Sequence, residues 1–291
     1  MAFETLISVN QLQTLQHSGE GLMVFDCSFE LTQPDQGPAQ FAQAHIEGAV
    51  YADLDQRLSA KGDQAFTGAA CGGRHPLPAR EKFAQWLGSV GLKNTDQVVV
   101  YDRQNASYCG RLWWMLKWLG HAPVAVLDGG LQAWQAAGGG IAQGTASTPA
   151  RAATVFALDE PLLPLVSADA VLARLGRADQ TIVDARSAPR FRGETEPFDP
   201  VAGHIPGALN RMFSGNLTEE GFFKPAATLR AEFEALLGAR APSGVVHHCG
   251  SGVTAIPNIL AMEIAGLHGS ALLSGGWSEW CNKPDFPVAV G

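Results

Sequence analysis

The sequence predicts an α/β protein built from two similar domains in tandem, each a mainly parallel sheet flanked by helices. Three observations support this prediction. The chain has 291 residues, which exceeds the usual size of one domain. Four short sequence patterns of the first half return in the same order in the second half. Within each half, short β-branched runs alternate with amphipathic stretches, as is typical of parallel strands joined by helices.

The repeat relates four pairs of segments. They read VFDC at 24–27 and IVDA at 182–185, AHIEGAV at 44–50 and GHIPGAL at 203–209, VVVYD at 98–102 and GVVHHC at 244–249, and LDGGLQAW at 127–134 and LSGGWSEW at 273–280. The offset falls from 158 (Asp26 to Asp184) to 146 (Trp134 to Trp280), so the first half carries about a dozen additional residues. They fall in the loop-like stretch at 56–78.

Local patterns within each half predict the elements and the domain boundary. We predict strands at 98–101, 124–127, 244–247 and 270–273, and helices at 111–119 and about 254–265. Three glycines at 138–140 precede a run at 143–153 that is rich in Ala, Thr, Pro and Gln and is typical of a linker. We therefore expect a domain at 1–142, a linker at 143–162 and a second domain at 163–291.

Composition excludes several classes of function. A formal net charge of −8 argues against nucleic-acid binding, which requires clustered Lys and Arg. The sequence has no run of 18 apolar residues and no basic, apolar leader at its start, so we expect neither a membrane partner nor a signal peptide. Five widely spaced cysteines without a CxxC pair predict free thiols in a reducing compartment, the cytoplasm, and no metal site. We expect no organic cofactor.

One cysteine stands in a loop suited to chemistry. Cys249 lies between a predicted strand and a predicted helix and is followed by Gly250, Ser251 and Gly252. The glycines allow a backbone that turns successive N–H groups toward one centre, and the helix adds its positive end, with Thr254 as its expected cap. Such surroundings lower a cysteine pKa below its usual value of about 8.5. The alternative is a tight glycine turn that contains an incidental buried cysteine.

Two chemistries use a cysteine in a loop between a strand and a helix. A phosphatase loop requires an arginine six positions after the cysteine, where it clamps the phosphoryl oxygens; Ala255 occupies that position here. Sulfur transfer requires only a thiolate and N–H donors that stabilise a persulfide anion. The sequence therefore favours sulfur transfer.

The motifs also resemble a known family. The loop CGSGVTA at 249–255, the segments GHIPGA at 203–208 and SGGWSEW at 274–280, and the duplication resemble the rhodanese superfamily, most closely its two-domain 3-mercaptopyruvate sulfurtransferases. The resemblance implies that the first domain is a non-catalytic copy, and Asp102 indeed aligns with Cys249. It also implies that Cys249 takes sulfur from a small donor, releases pyruvate, and passes the sulfur to cyanide or to a thiol acceptor such as a thioredoxin-like protein.

The same resemblance implies roles for individual residues. Ser251 is expected to share a proton path with His75 and Asp55, and Arg190 to hold the donor carboxylate through its planar fork. Further candidates for substrate binding are Gly250, Gly252, Val253, Thr254 and Arg186, the last with a structural ion pair to Asp184 as the alternative.

The chain departs from the resemblance at two places, which leaves the donor open. Asp199 stands near the position of an expected second arginine, and Gly250 and Ser251 are neutral where thiosulfate enzymes often carry basic residues. Thiosulfate therefore remains an alternative donor, and a persulfide carrier loaded by a partner enzyme is a third hypothesis. His247 and His248 precede the nucleophile, and one of them, if charged, would favour the thiolate.

Overall fold

The computed structural model describes residues 2–18, 21–61, 69–145 and 151–291. Their contacts divide the chain into two compact units. Unit 1 comprises Met1–Ala69, Pro78–Leu162 and Glu219–Phe222, and unit 2 comprises Ala70–Leu77, Leu163–Thr218 and Phe223–Gly291. The units therefore differ from the predicted domains in short exchanged segments and in the predicted linker at 143–162, which is assigned to unit 1 and whose residues 146–150 lie outside the described residues. The most important exchanged segment is Ala70–Leu77, which comes from the first half of the sequence and packs within unit 2.

Unit 1 contains a parallel five-stranded sheet. Its order is β1-β6-β5-β2-β4, and a separate antiparallel pair joins β3 to β7. The strands are β1 (Leu6–Ile7), β2 (Leu22–Asp26), β3 (His45–Ile46), β4 (Val50–Tyr51), β5 (Gln97–Tyr101), β6 (Val124–Leu127) and β7 (Ile141–Ala142). The helices are α1 (Val9–Ser18), α2 (Gln36–Gln43), α3 (Arg80–Ser89), α4 (Cys109–Trp118) and α5 (Gly130–Ala136).

Unit 2 repeats this sheet. Its parallel strands lie in the order β10-β9-β11-β12-β8, which matches unit 1 strand for strand when read in reverse. The strands are β8 (Leu165–Val166), β9 (Thr181–Asp184), β10 (Leu209–Asn210), β11 (Val245–His248) and β12 (Ala271–Leu273). The helices are α6 (Ala168–Ala173), α7 (Ala188–Phe191), α8 (Ala226–Leu237), α9 (Ile256–Ile264) and α10 (Gly276–Trp280), with 3₁₀ turns at Phe213–Asn216 and Pro242–Gly244.

The central strand β11 positions the loop of interest. All four of its residues are buried, because helices cover both faces of a parallel sheet. β9 and β12 pair with it on either side, so the chain emerges from β11 at the carboxyl edge of the sheet. Side chains on loops at this edge are the usual binding groups of open α/β sheets. Cys249 is the first residue beyond the strand.

The predicted fold class is confirmed, and the elements differ from prediction only at their ends. The strand 124–127 has the predicted bounds. The helix after Cys249 begins at Ile256, with Pro257 in its first turn and Ala255 preceding it without a side-chain cap. The predicted capping role of Thr254 is therefore wrong. Within the described ranges, no helix combines the length and the apolar character needed to cross a bilayer.

Candidate active site

The Cys249 loop is anchored to the helix that follows the last strand. The carbonyl of Cys249 accepts a hydrogen bond of 2.8 Å from the N–H of Trp277, and the carbonyl of Gly250 accepts one of 2.8 Å from the N–H of Ser278. Both donors lie in the first turn of α10. Cys249 is 2 % exposed. The loop carbonyls therefore point toward α10, which leaves the opposite side of the loop to its N–H groups.

Gly252 gives the loop its curvature. It has a φ of +70°, and a Cβ at this position would collide with the carbonyl oxygen of Ser274. Only glycine meets both conditions without strain. Among the residues that the structure describes, the N–H groups of Ser251, Val253 and Thr254 donate to no acceptor within the protein. These donors lie in the loop that begins at Cys249, so they are available to an anion there.

The loop of unit 1 that begins at Asp102, the twin of the Cys249 loop, binds a carboxylate through its backbone N–H groups. The carboxylate of Asp102 accepts four backbone N–H bonds: Oδ1 from Gln104 and Ala106, both at 2.9 Å, and Oδ2 from Tyr108 at 2.8 Å and Cys109 at 2.9 Å. Burial raises the pKa of the Asp102 carboxyl, and the four N–H donors act in the opposite direction. Unit 1 thus carries a built-in acceptor in its loop.

The two loops correspond residue by residue. Asp102 aligns with Cys249, and Gln104 and Ala106 align with Ser251 and Val253. Asn105, with a φ of +57°, matches Gly252. The N–H groups of Ser251 and Val253, which donate to nothing in the described protein, therefore correspond to N–H groups that bind a carboxylate in unit 1. The loop that begins at Cys249 therefore has N–H donors at the positions that bind an anion in the twin loop.

Segment Ala70–Leu77 brings a histidine to this loop. His75 Nδ1 lies 2.7 Å from Ser251 Oγ, and His75 is 2 % exposed. The segment packs closely, because a Cβ on Gly73 would lie 2.5 Å from the carbonyl oxygen of Gly275. The structure therefore joins two of the three residues expected in the proton path. The third, Asp55, belongs to unit 1, where it pairs with Lys61 at 2.7 Å; its catalytic role stays a prediction.

Arg190 lies beside the loop and is held by a carboxylate. Its Nη2 donates to Glu196 Oε1 at 2.7 Å and to Oε2 at 2.9 Å, and its Nε donates to Oε2 at 3.2 Å. Its Nη1 is 3.6 Å from the point where a Cβ of Gly250 would lie. The side chain is 17 % exposed. This position agrees with donor binding, which stays a prediction.

Arg186 does not fit the substrate role that was expected of it. Its guanidinium is 1 % exposed and lies over the ring of Trp277. Its donors bind Asp184 at 2.6 Å, the Gly203 carbonyl at 2.7 Å and Glu196 at 3.1 Å. Burial raises the pKa of Asp184, but His248 and Arg186 outweigh it and hold the pKa below its ordinary value. Because these groups occupy every nitrogen of the guanidinium, the alternative of a structural ion pair replaces the predicted substrate role.

Arg74 is a residue of this site that sequence reasoning missed. Its Nη1 donates to Asp199 Oδ1 at 2.6 Å, and its Nη2 lies 3.1 Å from the point where a Cβ of Gly250 would lie. Asp199, which stands near the position of an expected arginine, therefore binds an arginine from a distant part of the chain. The only signal in the sequence is that Arg74 precedes His75.

His247 and His248, the last two residues of β11, directly precede Cys249. Both are fully buried. Burial lowers the pKa of His247 to about 3, with His248 and Arg211 adding to the effect, and burial also lowers the pKa of His248. The His247 ring is therefore neutral near pH 7 and does not favour the thiolate as an imidazolium. Asp184 opposes the effect of burial on the pKa of His248, for which that role stays a prediction.

The remaining cysteines and acidic groups form no metal site in the part of the chain that the structure describes. There, no group of three or more His, Cys, Asp or Glu side chains is arranged to hold a metal ion. All five cysteines are free thiols.

Comparison with known proteins decides the family. The family model described as Rhodanese-like domain matches residues 8–137 and again residues 167–283. The chain belongs to the rhodanese family. Its similarity to a "Probable 3-mercaptopyruvate sulfurtransferase" of Pseudomonas aeruginosa is 42 % identity over 292 residues, covering 100 % of both chains. A thiosulfate sulfurtransferase of Cricetulus griseus is 32 % identical over 301 residues, covering 99 % of this chain and 96 % of the relative.

A solved structure shares the fold along the chain. It is the 3-mercaptopyruvate sulfurtransferase of Leishmania major, which superposes with a TM-score of 0.81 at 31 % identity, covering 97 % of this chain and 75 % of that one. The resemblance to this family that the sequence motifs indicated is thereby confirmed.

Proposed function

We propose that this protein is a sulfurtransferase that moves sulfane sulfur from 3-mercaptopyruvate, through a persulfide on Cys249, to a thiol acceptor. One observation carries the proposal. In unit 1 the loop N–H groups bind the Asp102 carboxylate, and in unit 2 the matching N–H groups of Ser251 and Val253 follow a cysteine and donate to no acceptor in the described protein. A loop whose N–H groups can bind an anion, and which contains a cysteine, is suited to a thiolate and to a persulfide.

A persulfide on Cys249 would carry its charge as many bonds from the backbone as the Asp102 carboxylate does. The charged oxygens of an aspartate lie two bonds beyond its Cβ, and the outer sulfur of a cysteine persulfide also lies two bonds beyond its Cβ. Preorganised N–H donors stabilise a charge that develops at a fixed place without reorganisation. The start of α9 directs its positive end toward the same loop.

The chemistry follows from this arrangement. The Cys249 thiolate attacks the sulfur of 3-mercaptopyruvate, an S–S bond forms, and the C–S bond breaks with its electron pair moving to the carbon as the enolate of pyruvate. The proton of the donor thiol passes through Ser251 Oγ to His75, whose Nδ1 is 2.7 Å away. The enolate takes up this proton from His75 and leaves as pyruvate. Cys249 keeps the persulfide.

The second half of the reaction regenerates the thiolate. A thiolate of the acceptor attacks the outer sulfur, a new persulfide forms on the acceptor, and the electron pair of the broken S–S bond returns to Cys249. A thioredoxin-like protein and cyanide are the acceptors we propose. Five free cysteines support a reducing compartment, the cytoplasm, as the place of action.

Thiosulfate is the second candidate donor, because the chain is also similar to a protein named for thiosulfate. The charges beside the loop favour mercaptopyruvate. Arg74 and Arg190 are paired with Asp199 and Glu196, so these four groups sum to zero before a donor binds. Such a site accepts a monovalent carboxylate more readily than a divalent anion.

Intact-mass spectrometry after mixing with each donor tests the proposal. We expect the purified protein to gain the mass of one sulfur atom from 3-mercaptopyruvate, and Cys249→Ser to gain none, whereas Cys281→Ser, at a partly exposed cysteine, behaves as the unmodified protein. Sulfur that still adds to Cys249→Ser would remove the nucleophile from the proposal. A clearly higher rate of sulfur uptake from thiosulfate would replace the donor but keep the nucleophile.

A further inference from the structure

Two guanidinium groups converge on the residue after the nucleophile. Arg74 Nη2 lies 3.1 Å, and Arg190 Nη1 3.6 Å, from the point where a Cβ of Gly250 would lie. The space that a side chain at position 250 would fill is therefore used by N–H donors from two other segments. Any side chain larger than hydrogen would force Arg74 to move.

Each arginine is held in place by a carboxylate and by one aromatic ring. Asp199 accepts from Arg74 at 2.6 Å, and Glu196 accepts from Arg190 at 2.7 Å. The Phe198 ring lies 5.2 Å from the Arg74 guanidinium and 5.1 Å from that of Arg190. Both guanidinium groups are thus oriented before a ligand arrives, which reduces the entropy lost on binding.

We propose that Arg74 binds the carboxylate of the sulfur donor together with Arg190, and that Asp199 is a positioning residue that sets the orientation of Arg74. The inference rests on the proposed sulfurtransferase function and adds to it the residue that selects a carboxylate-bearing donor. Segment Ala70–Leu77 then supplies two parts of the site, the donor-binding Arg74 and the proton-accepting His75.

The chemistry of the pair fits a planar monoanion. The N–H groups of a guanidinium match the two oxygens of a carboxylate. Two guanidinium groups beside the same glycine can therefore bind one carboxylate from two directions. The carboxylate and the sulfur of a small 2-oxo acid are only a few bonds apart. A donor held at Gly250 therefore presents its sulfur to the adjacent Cys249.

Steady-state kinetics of Arg74→Ala, Arg74→Lys and a control tests the assignment. Arg192→Ala is the matched control, because Arg192 is 44 % exposed and pairs only with nearby Glu194 in the described contacts. We expect Arg74→Ala to raise the KM for 3-mercaptopyruvate about 10- to 100-fold with little change in kcat, the effect of removing a charge-assisted hydrogen bond to substrate. Arg74→Lys should recover part of the loss, and the KM for thiosulfate should change at least tenfold less.

Three results would overturn the assignment. An unchanged KM in Arg74→Ala removes Arg74 from the donor site. Equal losses with both donors indicate a general electrostatic effect rather than carboxylate recognition. A fall confined to kcat, or a loss of folded protein seen by circular dichroism in both Arg74 variants, indicates a structural role.

A binding measurement separates this inference from the proposed function. Pyruvate carries the same carboxylate, so it should slow the alkylation of Cys249 by iodoacetamide, with a half-protecting concentration about tenfold higher in Arg74→Ala. If the unmodified protein fails to turn over 3-mercaptopyruvate, the proposed donor fails, while pyruvate protection still tests Arg74. Equal protection in both proteins overturns the Arg74 assignment alone.

A double-mutant cycle tests Asp199. Asp199→Asn should raise the KM for 3-mercaptopyruvate severalfold in the presence of Arg74 and have a clearly smaller effect in the Arg74→Ala background, where only the longer 3.7 Å contact of Asp199 with Arg190 remains. Additive effects on KM would show that Asp199 acts independently of Arg74.

Discussion

The anion held in the loop of unit 1 leads to a quantitative prediction. Asp102→Asn keeps the shape of the side chain and replaces one oxygen by an NH₂ group. The remaining oxygen can still accept from Gln104 and Ala106, but the NH₂ group faces the N–H groups of Tyr108 and Cys109, which are donors as well. Asp102 is 1 % exposed, so water does not replace the lost acceptor.

The magnitude follows from these two lost bonds. A buried donor left without an acceptor costs about 1–3 kcal/mol, so two of them cost about 2–6 kcal/mol of unfolding free energy. For a unit of this size the melting temperature changes by about 2–4 °C per kcal/mol. We therefore expect a decrease of roughly 5–20 °C in the transition that reports on unit 1.

Urea and calorimetric unfolding measure this change. Asp35→Asn is the control, because it makes the same chemical change at an exposed position, where the side chain caps nothing. If Asp102→Asn unfolds within about 1 kcal/mol of the unmodified protein while Asp35→Asn does the same, the four bonds do not stabilise an anion. The twin loop would then lose its value as a guide to the N–H donors of the Cys249 loop.

Three further predictions concern unit 2. Arg186→Ala should lower the unfolding free energy by about 3–5 kcal/mol in urea, because it leaves buried Asp184 without its main partner; a loss of donor affinity without destabilisation would restore the substrate role. Arg190→Ala should do the reverse, raising the KM for 3-mercaptopyruvate with little change in the urea midpoint, and an unchanged KM would remove it from the site. Burial lowers the pKa of His247 to about 3. Between about pH 6.5 and pH 3 the imidazole therefore binds a proton only in the unfolded chain, so the free energy of unfolding decreases as the pH falls through this range. His247→Gln should remove up to about 1.4 kcal/mol per pH unit of this loss; equal slopes in this variant and in the unmodified protein would contradict the shift.

The fold was predictable because its signals are local and repeated. Strands β2 and β9 end in Asp26 and Asp184, Cys249 directly follows β11, and the duplication repeats the sequences around the central strands of each sheet. The Cys249 loop was predictable for a related reason. The glycines that shape it are adjacent to the cysteine in the sequence.

The rest of the site depends on contacts that the sequence does not display. Arg74 meets Asp199 across 125 positions, and no local pattern connects them. Arg186 and Arg190 are four positions apart and equally basic, so only burial shows that one is a structural ion pair and that the other faces the loop. Likewise, the complete burial of His247 and His248, which lowers the pKa of each, does not follow from their positions before Cys249 in the sequence.

The origin of segment Ala70–Leu77 limits how this protein can be divided or shortened. A gene encoding only the second half of the chain would retain Cys249, its loop and Arg190, but it would lack both Arg74 and His75. Unit 1 carries Asp102 where the matching loop of unit 2 carries Cys249, yet the first half still provides a short piece of the other unit. A truncated or circularly permuted chain that is to keep the proposed site complete must therefore retain this segment.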